Sequence, residues 1–144
     1  MDGLNKLQEL KARLRNLPDA TIEMMKEVFK DIAPVVEDLN IEQLNRGERA
    51  DGSSLPNYSI VSVTKFGKTP GPMNLHDRGP FWQGITLEVH DDGVELVGKD
   101  FKTDMLQLRY GDEIIGLQED NQRKVEQDYL KPELEPKFQK YLTL

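Results

Sequence analysis

The sequence predicts an α+β fold in which N-terminal helices pack on a small antiparallel sheet with a central hairpin, followed by C-terminal helices. Three patterns carry the prediction. Apolar residues recur at helical spacing from Ile22 to Leu39, strand alternation surrounds an Asp-Gly pair near residue 92, and charged helical periodicity begins at Glu119. The 144 residues fit one domain. It divides into a helical N-terminal part (1–47), a loop and β-hairpin core (48–117) and a helical C-terminal extension (118–144).

Leu4, Leu7, Leu10, Leu14 and Leu17 form one apolar helical stripe, with Lys6, Glu9, Lys11 and Arg13 off it. Such a helix either covers the chain's own core or packs against a neighbouring subunit. Pro18 ends it, and Asp19 is placed to cap the next helix. That second helix carries Ile22, Met25, Val28, Phe29, Ile32, Val36 and Leu39. Pro34 cannot bond the carbonyl of Lys30, so a kink or break is expected there, with helix resuming to Leu44 and stopping at Gly47.

Residues 46–83 are irregular and rich in Gly, Pro, Ser and Asn. Asp51-Gly52 and Pro70-Gly71-Pro72 are turn signals. Ser59 to Lys65 alternates in a β-branched run and is expected as a short strand. Phe66 to Asn74 is expected as a mobile loop that orders on assembly. Asp77 suits the turn before Gly79. Phe81 and Trp82 follow a Gly-Pro turn, and on a strand they would point to opposite faces. They either anchor the hairpin to the helices or form an interface anchor.

Ile85, Leu87 and Val89 alternate with Thr86, Glu88 and His90. Asp92-Gly93 suits a tight type I′ turn, and Val94 to Val97 return the strand to Gly98. Thr103 or Asp104 is expected to cap a short helix, Met105 to Tyr110, stopped by Gly111. An apolar turn surrounds Gly116. A charged helix from Glu119 to Tyr129 points Val125 and Tyr129 inward. Pro132 and Pro136 place the start of the last helix near Pro136, with Phe138, Tyr141 and Leu142 on its apolar side.

Composition narrows the function. The net charge of −7 disfavours gripping phosphate backbones, so no specific nucleic-acid partner is expected, although a local basic face stays possible. The absence of cysteine excludes disulfides and thiolate metal sites and fits a cytoplasmic origin. No apolar run suggests a signal peptide or membrane span. His76-Asp77 and His90-Asp91-Asp92 are the only metal-ligand candidates. His90 falls on the strand face opposite the apolar residues, and the turn accounts for the two aspartates. No nucleophile elbow or phosphate loop is present. The expectation is therefore no catalytic residue, no metal and no cofactor, hence no enzyme.

The order of the motifs resembles a known family. Asp51-Gly52, Leu55-Pro56, Tyr58-Ser59, a Lys-containing linker, Leu75-x-Asp77-x-Gly79-x-Phe81, Ile85, the hairpin and Val97-Gly98 together resemble the tail-completion or head–tail joining proteins of tailed phages, also called virion morphogenesis proteins. The resemblance spans residues 41–117. Leu55 falls near a position where the family carries Trp. Arg78 replaces Thr or Ser, and Phe81 replaces a small aliphatic residue. Residues 106–111 fill the place of a later family motif, and the extension from Gln118 resembles prophage versions.

The resemblance implies a structural virion protein, made in the host bacterial cytoplasm and located at the neck or tail. It implies a ring homo-oligomer, commonly of six subunits, whose partners are itself and the adjoining connector, portal or tail proteins. A ring contact is head-to-tail and needs two complementary patches. The candidate interface residues are Leu7 and Leu14 on the N-terminal stripe and Phe66, Lys68, Phe81 and Trp82 in the central segment. The alternative is a small acidic cytoplasmic adaptor or inhibitor that binds one partner protein.

Overall fold

The computed structural model describes residues 19–142, with side chains from 21 to 139. The Leu4–Leu17 stripe, including Leu7 and Leu14, lies outside them. Helix α1 (Asp19–Asn45) is the spine of the molecule. It continues through Pro34 without the expected break. Pro34 is exposed, so the carbonyl freed at Lys30 can bond water on the solvent side. The inward face buries Val28, Ile32, Val36 and Leu39.

The hairpin β1 (Ile85–His90) and β2 (Gly93–Gly98) packs along this face, with Ile85 opposite Gly98 and His90 opposite Gly93. Asp91 and Asp92 are therefore the two turn residues, and Gly93 opens β2. Neither aspartate has positive φ, so the expected Asp92-Gly93 type I′ turn is replaced by one shifted a residue earlier. The pairing of Leu87 with Leu96, both turned to α1, fixes this register. Glu37 Oε2 accepts the Leu87 N–H at 2.8 Å, which satisfies one outward donor of the β1 edge.

Two cores flank the spine. One joins Ile32, Val36 and Leu39 to Leu87 and Val125. The other joins Leu44 to Leu55, Phe81, Ile85 and Ile114. The helical extension runs from α5 (Glu119–Lys124) through a π-helical turn (Val125–Leu130) into α6 (Lys131–Leu142). Val125 is buried and Tyr129 half-buried, as their spacing predicts. The start expected at Pro136 is corrected: α6 begins before both prolines. The π turn bonds the Lys131 N–H to the Glu126 carbonyl, five residues back, and this wider turn lets the chain pass into Pro132 while remaining helical.

The expected strand at Ser59–Lys65 is a helix, α2 (Ile60–Phe66). Ser59 Oγ accepts the Ser62 N–H at 3.1 Å, and Gly67 closes the helix at φ +68. Caps at both ends outweigh the β propensity of a segment that has no paired strand to join. Phe81 and Trp82 likewise lie on a single helical turn, α3 (Pro80–Gln83), and not on a strand. Helix α4 (Thr103–Tyr110) starts earlier than expected, and neither Thr103 nor Asp104 caps it. The Asp100 carboxylate instead accepts the Lys102 N–H.

Candidate functional site

Three segments distant in sequence meet over the second core. The loop Met73–Asp77, α2 and α4 enclose an open groove of about 640 Å³. Met73, Leu75, Phe81, Leu106 and Tyr110 form its floor, which is the outer surface of the core around Leu44. Phe66 and Met105 stand on its walls, 67% and 56% exposed. Ile60, Val61, Phe101 and Leu108 are also exposed, from 58% to 90%, outside the groove lining. A one-turn or two-turn helix with this much exposed apolar area gains nothing from it in water.

Cations gather on the same surface. Lys68 and Lys102 line the groove, and Lys65 and Arg109 neighbour the lining residues Phe66 and Tyr110 in sequence. The four stand over the rings of Tyr58, Phe101, Phe66 and Tyr110 respectively, at 5.5 to 5.9 Å. Lys68 Nζ donates to the His76 carbonyl at 2.6 Å, and Lys102 Nζ stands 3.7 Å from Asp77. By contrast, Glu27, Asp31, Asp38 and Glu42 form an exposed acidic ridge on the outer face of α1. The groove thus carries two lysines and one carboxylate, Asp77, beside its aromatic rings.

The segment expected to be mobile is hydrogen-bonded to its own chain. Tyr58 N–H donates to the Gly71 carbonyl, Met73 N–H donates to the Pro56 carbonyl, and Asn57 bridges to Pro72. Tyr58 Oη donates to Asn74 Oδ1 at 2.8 Å. Leu75 and Arg78 both adopt left-handed backbone, φ +59 and +60, which is strained for such side chains. Leu75 places part of this strain in the floor of the groove.

The predicted residues separate on inspection. Phe66 and Lys68 come together at the groove. Phe81 is 4% exposed and is spent inside the core, so it offers no outward anchor. Trp82 is half-buried: its Nε1 donates to the Asn74 carbonyl at 2.8 Å, and its ring meets His76 edge-on at 4.5 Å. Asp51 and Gly52 form a turn in which Asp51 Oδ1 accepts both the N–H and the hydroxyl of Ser53. Gly79 precedes α3 with φ +96, and Asp77 is exposed beside Lys102. Among the described residues, no three His, Cys, Asp or Glu side chains are placed to hold a metal. His76 lines the groove, whereas His90 stands at the hairpin end, 3.3 Å from Glu88.

Among the described residues, the titratable groups moved from their ordinary values lie outside this groove. A hydrogen bond from Lys26 lowers Asp91 and raises Lys26, one from Lys99 lowers Glu88, one from Gln118 lowers Glu48, and one from Ser53 lowers Asp51.

Sequence reasoning missed Asn40 and Gln43, both fully buried on α1. Asn40 bonds the Ile114 carbonyl and the Gly116 N–H. Gln43 bonds the Gly116 carbonyl, the Gln118 N–H and the Asn121 amide. They clasp the chain that follows α4. The signal was present, because the apolar stripe continues in register from Val36 through Asn40 to Leu44.

No helix among the described residues is long and apolar enough to cross a membrane. Comparisons of the chain with family models, with curated proteins and with solved structures found no match.

Proposed function

We propose that this chain is a structural component of a tailed-phage particle, a neck or tail-completion subunit that joins head to tail through subunit interfaces and without catalysis. The ordered motif series of residues 41–117 motivates the reading. The observation that carries it is the apolar groove between α2 and α4, on whose walls Phe66 and Met105 stand exposed. Exposed apolar area of this kind is the mark of a surface awaiting a protein partner.

Charge suggests how copies meet. The groove of one subunit, with Lys68 and Lys102, faces the acidic α1 ridge of the next, two different patches in a head-to-tail contact. Repeated around an axis, such contacts close a ring. The ring stands in the virion, between the connector or portal and the tail. Electron microscopy of purified protein, alone and with its connector and tail partners, tests the reading. Closed rings, or incorporation between those partners, support it. A chain that stays monomeric with them and is missing from purified particles would sink it. A tight one-to-one complex with a non-virion protein would favour the adaptor reading.

A further inference from the structure

A polar cleft of about 390 Å³ opens beside the groove, where the loop 67–76 meets the end of α1. The loop sits close because residue 47 is glycine: Pro72 occupies the space that a Cβ there would need. Arg46, Lys68 and His76 line the cleft. No carboxylate does, although the chain carries 26 acidic residues against 19 lysines and arginines. Tyr58, Lys68 and His76 line both spaces, so the cleft and the groove adjoin.

The cleft lining holds hydrogen-bond donors with nothing to receive them. Lys68 Nζ spends one N–H on the His76 carbonyl at 2.6 Å and stands 5.5 Å from the centre of the Tyr58 ring. Those contacts hold the ammonium where the two spaces join and leave it further donors. Arg46 gives Nε to Glu48 Oε1 at 3.2 Å, and among the described residues its terminal nitrogens meet no acceptor. Asn74 Oδ1 accepts from Tyr58 Oη at 2.8 Å and from the His76 N–H at 3.0 Å. The amide nitrogen of Asn74 is therefore its donor end, and it too has no partner among the described residues.

We infer that the two spaces form one site for a small phosphate monoester with an apolar body. The phosphate lies in the cleft, and the apolar group lies against Leu75, Phe81 and Leu106 in the groove. A phosphate monoester carries a charge of about −1.5 to −2 and three terminal oxygens, which match the two cations and the Asn74 amide. A carboxylate, with a single charge, would leave one cation unmatched. The apolar floor supplies contact that an inorganic ion cannot use. The groove's one carboxylate, Asp77, stands 3.7 Å from Lys102 and does not line the cleft. The site is built within one chain, so the inference does not rest on the phage reading.

Isothermal titration of the full-length protein at constant ionic strength compares phenyl phosphate, inorganic phosphate and benzyl alcohol. Phenyl phosphate is expected to saturate at one per chain and to bind roughly tenfold more tightly than either of the others, each of which carries half of its chemistry. Arg46→Gln combined with Lys68→Gln should weaken phenyl phosphate by roughly tenfold or more. Lys30→Gln combined with Lys124→Gln changes two exposed lysines outside both linings, and should leave binding as in wild type. Phenyl phosphate that does not saturate, or that binds no more tightly than inorganic phosphate, would overturn the inference. So would equal weakening by the two variant pairs, because net charge alone would then explain the binding.

Discussion

The two sides of the second core treat their side chains in opposite ways. On the inner side, α1 buries the amides of Asn40 and Gln43 completely and gives their polar atoms backbone partners. On the outer side, α2 and α4 hold apolar side chains in water with nothing over them. Burying a polar group is tolerated when it is fully hydrogen-bonded, and exposing one apolar residue costs little. A cluster of exposed apolar residues on one face is different. The inner side maintains the fold, and the proposed function rests on the outer side.

Breaking the inner side has the largest effect. Gln43→Ala leaves the Gly116 carbonyl and the Gln118 N–H without their partner, and destabilises the protein by about 3 kcal/mol. Thermal unfolding shows this as a loss of roughly 10 °C. A change below a third of that would mean that water replaces the amide, and that the inner side is less closed than described.

How far each side was legible follows from the same contrast. The spine and the hairpin were readable because their apolar residues repeat locally, from Val28 to Leu39 and from Ile85 to Val89. Asn40 and Gln43 were overlooked because their role depends on residues more than 70 positions away. Helix α2 was misread because its β-branched run suggested a strand, while Ser59 and Gly67, two residues at its ends, decided otherwise. The groove could not be read at all: it forms only when the loop at Met73, α2 and α4 meet. Phe66 and Lys68 marked one wall of it, as an aromatic and a cation in a polar stretch.

Ser59→Ala sharpens the comparison at the next level. Removing the cap costs α2 about 1 kcal/mol. Because α2 buries no residue, that loss is local. Amide exchange at Val63 should quicken while the melting temperature barely moves. A large global loss would show that α2 belongs to the core and not to the outer face.

The Lys26–Asp91 pair, 2.8 Å apart, gives a smaller effect with a definite sign. The hydrogen bond from Lys26 depresses Asp91 below its ordinary 3.8 and raises Lys26 above its ordinary 10.5. The pair therefore stabilises the fold between those values. It is lost as pH falls through the depressed aspartate value or rises through the raised lysine value. Stability curves of wild type and Asp91→Asn should differ slightly near neutrality and converge toward both extremes. Divergence on acidification would contradict the assignment.

The smallest effect on stability belongs to the outer face, and it is the most informative. Phe66→Asp combined with Met105→Asp changes two groove-wall side chains that are 67% and 56% exposed. Light scattering of the double variant beside wild type, with melting temperatures measured on the same samples, separates folding from assembly. Wild type should form a species several times the 16.5 kDa chain mass, and the variant should stay at that mass with its melting temperature unchanged. A variant that assembles as wild type does would contradict the claim that the α2–α4 face is the surface through which this protein works.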